Sequence, residues 1–212
     1  MPASFIGSGT IQAMTTRPSL LLAAFPPELA GLDDHPPAGW QAACTGVGAL
    51  AAAVATAGLL TRWMPRRVLF VGTCGAYDDR FRTGDRVRAA EALAVALDLL
   101  EGRAYRPEAE THRWVATWDG PCGPLPFQAC PVAVPPGVTR TLEGARILAA
   151  LAPVEHLELT GVFAACHGAG IPCGAVLGVA NRVGPEAHRE WRANHQRVSR
   201  ELRDALRDQG VL

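Results

Sequence analysis

The stretch Val68–Asp85, VLFVGTCGAYDDRFRTGD, most limits what this chain can fold into. Val68–Val71 is a short apolar run rich in β-forming residues, and the pattern predicts a buried strand. It passes without a polar break into Gly72-Thr73-Cys74-Gly75-Ala76, five small residues in succession. With no bulky side chain in the way, a ligand can come within contact distance of backbone N–H groups there. An ordinary strand-to-loop turn would read the same way. In open α/β sheets, however, ligands sit just past the carboxyl ends of strands, so this stretch is predicted to be both sheet centre and site floor.

The remaining segments supply that strand with neighbours. Ser19–Ala24 reads as the first buried strand, ended by Pro26-Pro27, which start a helix or loop carrying Glu28. Gln41–Cys44 is a further strand and Thr45-Gly46-Val47-Gly48 a second small-residue turn. Ala49–Trp63 follows as a helix, with Leu50, Val54, Ala57 and Leu60-Thr61 on recurring faces. Arg86–Leu100 has helical propensity, although its first residues also suit a strand. Arg113–Trp118 and Leu125–Val134 read as strands, the second stopped by Pro135-Pro136-Gly137, after which Thr139 or Thr141 caps a helix through Ala152. Val154–Glu158 is a short strand, Leu159–Ala169 a helix and Ile171–Ala180 a buried strand. Pro185–Gln209 is a long amphipathic helix turning Trp191, Val198, Leu202 and Leu206 inward. Strands and helices alternating through short turns predict an α/β fold around one sheet.

A length of 212 residues predicts a single domain, placed over 19–212, and the small, polar start of the chain reads as a flexible leader over residues 1–18. Twenty basic and twenty acidic residues cancel, which argues against a broad nucleic-acid or anionic-membrane surface. Trp40–Thr61 is uncharged, but it is richer in Ala, Gly and Thr than in Leu or Ile and is broken by its glycine turn, so no membrane span is predicted. Met1–Ser19 has no apolar core of the kind a secretory signal needs. Cys44, Cys74, Cys122, Cys130, Cys166 and Cys173 form no CxxC or Cys/His cluster, and the pattern predicts free thiols in a reducing, cytoplasmic setting. His35, His112, His156, His167, His188 and His195 show no ligand spacing, so neither a metal nor another cofactor is predicted.

Three polar residues stand where the chain leaves predicted strands: Glu28, Glu158 and Asn181. Taken singly, they read as a solvated rim carboxylate, a helix cap and an Asx-turn. In order along the chain, however, LLLAAFPPEL, Thr45–Gly48, Gly72–Ala76 with Gly84-Asp85, Leu157-Glu158 and Ala180-Asn181 resemble the motifs of the nucleoside phosphorylase and nucleosidase superfamily. The resemblance covers about residues 19–192. It implies a three-layer α/β/α sandwich with a central mixed β-sheet, and a homodimer.

Phosphorylases of that group usually carry Gly-Asp-x-x-Arg near the first strand. AFPPEL stands there instead and has no arginine, which makes the chain more similar to the hydrolytic nucleosidases. The resemblance then implies that Glu28 activates water as general base, that Thr73, Cys74 and Gly75 line the base and ribose, and that Glu158 accepts the ribose hydroxyls. Leu157 would pack on the sugar in place of the usual Met, and Val138 would also contact substrate. Asn181 departs from the adenine-specific nucleosidases, which place there an Asp that protonates N7. A 6-oxopurine leaving as its N7–H tautomer offers a donor at N7 and an acceptor at O6; an amide can match both, whereas an ionised carboxylate cannot donate to O6. Hypoxanthine or guanine is therefore the expected base.

The run Asn181-Arg182-Val183-Gly184-Pro185 followed by Trp191 further resembles the futalosine hydrolase branch, which releases hypoxanthine from futalosine on a route to menaquinone. The expected partners are a purine nucleoside substrate and water as nucleophile, with no nucleic acid and no membrane. The alternatives are a purine nucleoside phosphorylase, a nucleosidase of adenosyl compounds and a non-catalytic nucleoside-binding protein. VLFVGTCGA also loosely resembles the first motif of S-adenosylmethionine-dependent methyltransferases, but the acid expected after their second strand is missing. Trp114, Trp118 and Phe127 are candidates for an apolar pocket on the 5′ side of the sugar, though core packing suits each of them better.

Overall fold

The computed structural model of the chain describes residues 17–118, 120 and 123–212. The expected leader lies outside the described residues apart from Arg17 and Pro18, which bond to Met64 and Arg66, and so does Cys122. In chain order the elements are β1 (Ser19–Ala23), α1 (Pro26–Leu29), β2 (Trp40–Cys44), α2 (Ala49–Trp63), β3 (Arg67–Ala76), β4 (Arg86–Ala94) and α3 (Leu97–Leu100). They continue with β5 (Arg113–Val115), β6 (Gln128–Val134), α4 (Leu142–Ala149), β7 (Val154–Glu155), α5 (Leu159–Gly168), β8 (Cys173–Arg182) and α6 (Ala187–Asp208).

Strand β3 is the hub. Its first half pairs in parallel with β1, its last two residues pair antiparallel with β7 on that same edge, and β8 runs parallel along the whole opposite edge. β8 also pairs antiparallel with β4, and β4 leads through β6 to β7, so the mixed sheet closes on itself around β3–β8–β4–β6–β7. Helices α2 and α5 cover one face over Phe70, Leu159, Val162 and Phe163. Helices α1 and α6 cover the other over Leu21, Leu69, Val176, Leu202 and Leu206. The result is the expected three-layer α/β/α sandwich with a mixed central sheet. Among the described residues no helix is long and apolar enough to cross a membrane.

Three local expectations are corrected. Gly72–Ala76 is not a turn after the strand: β3 continues through all five residues, because β7 and β8 supply hydrogen-bond partners on both edges. Arg86–Ala94 is strand rather than helix, its propensity overridden by pairing with β6 and β8; Gly84 and Asp85 form the tight turn that leads into it, with the Asp85 side chain accepting from the Arg82 amide. In α2 the buried residues are Ala52, Thr56 and Leu60, while Leu50 and Val54 are 80% and 68% exposed. The cause is close helix packing at Gly161 of α5, where a Cβ would meet the Ala49 carbonyl oxygen at 1.9 Å and the Ala53 nitrogen at 2.9 Å. Only the small-residue side of α2 can approach that closely, so its larger aliphatic side chains turn outward.

Candidate active site

The site is built where β3 ends between its two neighbours. Gly75 is the register partner of Glu155 on β7 and of Asn181 on β8, so both side chains leave the sheet on the same face, one to either side of a residue without a side chain. The pairing with Asn181 depends on a bulge. Cys74 pairs with Val179 and Gly75 with Asn181, leaving Ala180 as one extra residue on β8. Because strand side chains alternate, that single residue brings Asn181 to the face it occupies. Asn181 therefore lies inside β8 rather than after it. Its Nδ2 donates to the Arg182 carbonyl at 3.0 Å and lies 2.9 Å from where a Gly75 Cβ would stand.

Glu28 reaches this junction from α1, which Pro26 and Pro27 start directly after β1. It is buried, and its carboxylate is clamped at both oxygens. Oε2 accepts from the Ala24 amide at 3.1 Å, and Oε1 accepts from the Thr73 amide at 2.9 Å and the Thr73 hydroxyl at 3.0 Å. Trp191 Nε1 donates in turn to Thr73 Oγ1 at 3.0 Å. The backbone behind Glu28 is held by Arg203 of α6, whose guanidinium donates to the Glu28 carbonyl at 2.7 Å. Burial pushes the Glu28 carboxyl up to about 7, against the hydrogen bonds from Thr73 and with help from the nearby negative charge of Glu158.

Glu158 does not cap its own helix. Its Oε1 accepts from the Gly48 amide at 2.8 Å and so ties the start of α5 to the start of α2. The Thr45–Gly48 turn can present that amide because Gly46 and Gly48 adopt φ of 81° and 92°, where glycine is favoured. His156 Nδ1 lies 3.2 Å from both the amide nitrogen and Oε2 of Glu158. Burial holds the His156 imidazole below its ordinary value although Glu158 pulls the other way, so the ring is neutral near pH 7 and this contact is no ion pair.

These groups border a cavity of about 750 Å³, within the size range of small-molecule sites. All of the residues singled out in the sequence line it: Glu28, Thr73, Cys74, Gly75, Val138, Leu157, Glu158 and Asn181. Trp114, Trp118 and Phe127 do not; they pack against the two cores, which corrects their candidacy for a 5′ pocket. Lining residues that were not foreseen include Phe25, Arg140, Glu155, His156, Ala187 and His188. Trp191 was foreseen as an inward-facing helix residue and as part of the run that follows Asn181. It stacks on His195 at 4.3 Å between ring centroids, with Phe25 tilted against it at 5.7 Å, and forms an aromatic wall. The one signal for Glu155 and His156 was that two polar residues directly follow Val154 in a segment read as strand. Nothing local marked Arg203, whose role arises from the packing of α6 on α1.

Chemically, the cavity sets the carboxyls of Glu28, Glu155 and Glu158, the Asn181 amide and the Arg140 guanidinium among apolar walls. Such a site suits a ligand that carries hydroxyls and a flat ring and develops positive charge as it reacts.

Comparison with known proteins supports the family and the fold. A family model described as the phosphorylase superfamily matches residues 41–150. No curated protein matches the chain by sequence. Among solved structures, the 5′-methylthioadenosine/S-adenosylhomocysteine nucleosidase of Helicobacter pylori, with butyl-thio-DADMe-Immucillin-A, superposes with a TM-score of 0.78 at 13% identity, covering 92% of this chain and 98% of that one. The native futalosine hydrolase of Helicobacter pylori gives 0.78 at 13% identity, covering 93% and 98%. The Neisseria meningitidis methylthioadenosine/S-adenosylhomocysteine nucleosidase, with methylthio-immucillin-A, gives 0.73 at 15%, covering 87% and 94%. At these identities the likeness is one of fold.

Proposed function

Because the chain belongs to the phosphorylase superfamily, we propose that it is a nucleosidase, hydrolysing the N-glycosidic bond of a 6-oxopurine nucleoside. The observation that carries this reading is the clamped Glu28, buried beside Glu158 across one cavity from Asn181. In the proposed reaction, water bonds to C1′ as the C1′–N9 bond breaks, and its proton passes to Glu28. The bond pair leaves with the purine, which takes up a proton at N7 from solvent while Asn181 holds N7–H and O6. Glu158 binds the ribose hydroxyls, and its charge together with that of Glu28 stabilises the oxocarbenium-like sugar. A general base with a value near 7 is well matched to water activation at neutral pH. Hydrolysis is favoured over phosphorolysis because the amides of Ala24 and Thr73, which could otherwise hold an anion, are already occupied by a carboxylate.

Futalosine is the substrate we assign, supported by the Asn181–Pro185 run with Trp191 and by the fold shared with a futalosine hydrolase. Its hydrolysis would place the chain on a route to menaquinone. The free thiols Cys44, Cys74, Cys130, Cys166 and Cys173 suit the cytoplasmic setting that goes with this reading. The test is incubation with inosine-type nucleosides, futalosine included, with and without inorganic phosphate, measuring the base released. Hypoxanthine release at the same rate in both is expected. Release that needs phosphate would make the chain a phosphorylase, release of adenine alone an adenosyl nucleosidase, and binding without release a nucleoside-binding protein.

A homodimer is part of the same proposal. Val47, Leu50 and Val54 leave an exposed apolar stripe that runs from the cavity along α2, and a second copy is the occupant we assign to it. Light scattering should give twice the chain mass; a mass of one chain at micromolar concentration would remove the dimer from the reading.

A further inference from the structure

His156 has one ring nitrogen that neither the fold nor the proposed reaction uses. The residue is 4% exposed and lines the cavity directly after β7. Its backbone amide donates to the Ala133 carbonyl of β6 at 2.9 Å, and its ring meets Phe70 edge-on at 5.2 Å between centroids. The Glu158 amide donates to Nδ1 at 3.2 Å, so Nδ1 carries the lone pair. In a neutral imidazole the proton then sits on Nε2. Among the described residues no protein group accepts from that N–H. A donor so little exposed is costly without a partner, which points to an acceptor brought in by what the cavity binds.

Nε2 and the Glu28 carboxylate meet over a single residue of β3. A Cβ at Gly72 would stand 3.1 Å from His156 Nε2 and 3.4 Å from Glu28 Oε1. No hydrogen bond or ion pair joins the two groups directly, yet both abut the one position that glycine leaves clear. A gap of that kind is one that a water molecule bridges. The hydrogen-bond inventory suits water as well. Ala24 and Thr73 already donate to Glu28 through two amides and a hydroxyl, which leaves about one of its four acceptor positions open. The other N–H groups near Glu28 are spent, Trp191 Nε1 on Thr73 Oγ1 and the Arg203 guanidinium on the Glu28 carbonyl. His156 is the donor left over on that side of the cavity.

We propose that His156 is a catalytic residue whose Nε2–H holds the attacking water against Glu28. This rests on the nucleosidase reading above and adds the group that aims the nucleophile. The water oxygen accepts from Nε2 with one lone pair and bonds to C1′ with the other as C1′–N9 breaks. One water proton passes to Glu28, and the bond pair leaves with the purine. His156 keeps its own proton throughout, because it orients the water rather than taking a proton from it. A carboxylate alone would fix the water by one hydrogen and leave its lone pairs free to turn away from C1′.

Two substitutions separate this role from a structural one. In His156→Asn the side-chain oxygen can still accept from the Glu158 amide, but nothing reaches the position of Nε2. In His156→Gln an amide N–H reaches that position, and the acceptor at the place of Nδ1 is lost. Steady-state base release by the full chain, with futalosine and inosine as substrates, is the measurement. His156→Asn is expected to lower kcat about a hundredfold with KM within a few-fold of wild type, the scale of a misplaced nucleophile. His156→Gln should stay within about tenfold of wild type in kcat. The opposite order overturns the assignment, since it marks a ring that only anchors Glu158; so do equal losses, unchanged rates, or a rise in KM alone. Should either variant fail to fold, Gly72→Ala serves, because its methyl would stand against both Nε2 and Oε1. An unchanged kcat there overturns the assignment, and a fall in kcat without a rise in KM supports it. Any of these failures in a chain whose wild type releases base without phosphate leaves the nucleosidase reading standing; a wild type that releases none, or only with phosphate, overturns both.

Discussion

Glu28→Gln is expected to lower turnover by about 10²- to 10⁴-fold, the usual contribution of a positioned general base, while nucleoside affinity stays within a few-fold of wild type. The amide keeps the size of the side chain and can still accept from Thr73 through one oxygen, but it cannot take a proton from water. The pH profile makes the test sharper. Burial pushes the Glu28 carboxyl from an ordinary value of 4.5 up to about 7, so the base form is populated only as pH rises through that value. Wild-type kcat/KM should therefore climb with pH toward a plateau above about 7. Stability runs the other way. A carboxyl whose folded value lies above its unfolded one contributes stability that is fully present below 4.5 and is lost as pH rises through about 7. Activity and stability are thus expected to move in opposite directions across one interval, and both slopes should flatten in the variant. A variant that retains the wild-type rate, or its pH profile, would show that water is activated elsewhere.

Asn181→Asp is expected to cut kcat/KM for a hypoxanthine nucleoside by about 10²- to 10³-fold, the loss that follows removal of one donor to a developing negative charge, roughly 2.7–4 kcal/mol. An ionised carboxylate there can no longer donate to O6, and it adds negative charge beside Glu155 and the leaving purine. It also sets an acceptor against the Arg182 carbonyl, which now accepts from Asn181 Nδ2 at 3.0 Å. Adenine nucleosides, whose amino group can donate to a carboxylate, should lose far less, so the preference for 6-oxopurines narrows by at least tenfold. Kinetics on matched inosine and adenosine compounds give that ratio directly. If both substrates lose rate in equal proportion, the amide does not read the base.

Some of this arrangement is legible in local sequence because it depends on local chemistry. The prolines after β1 set Glu28 at the end of that strand whatever the rest of the chain does. Thr141 caps α4 through its bond to the Gly144 amide, a short-range signal that survives folding. Other features are non-local. Arg86–Ala94 has helical propensity, yet two sheet neighbours claim its backbone. Leu50 and Val54 have the spacing of a buried face, yet the approach of α5 at Gly161 selects the alanine side of α2 instead.

By itself, then, the sequence determined the order of elements and the placing of Glu28, Glu158 and Asn181 near strand ends, since apolar runs and Gly/Pro breaks act over a few residues. Only the tertiary structure decided which faces those residues share. The extra residue Ala180 turns Asn181 toward Gly75, the antiparallel β7 brings Glu155 to its other side, and burial beside Glu158 raises Glu28 to about 7. Register and burial are properties of chain segments far apart in sequence, and they exist only once those segments have paired.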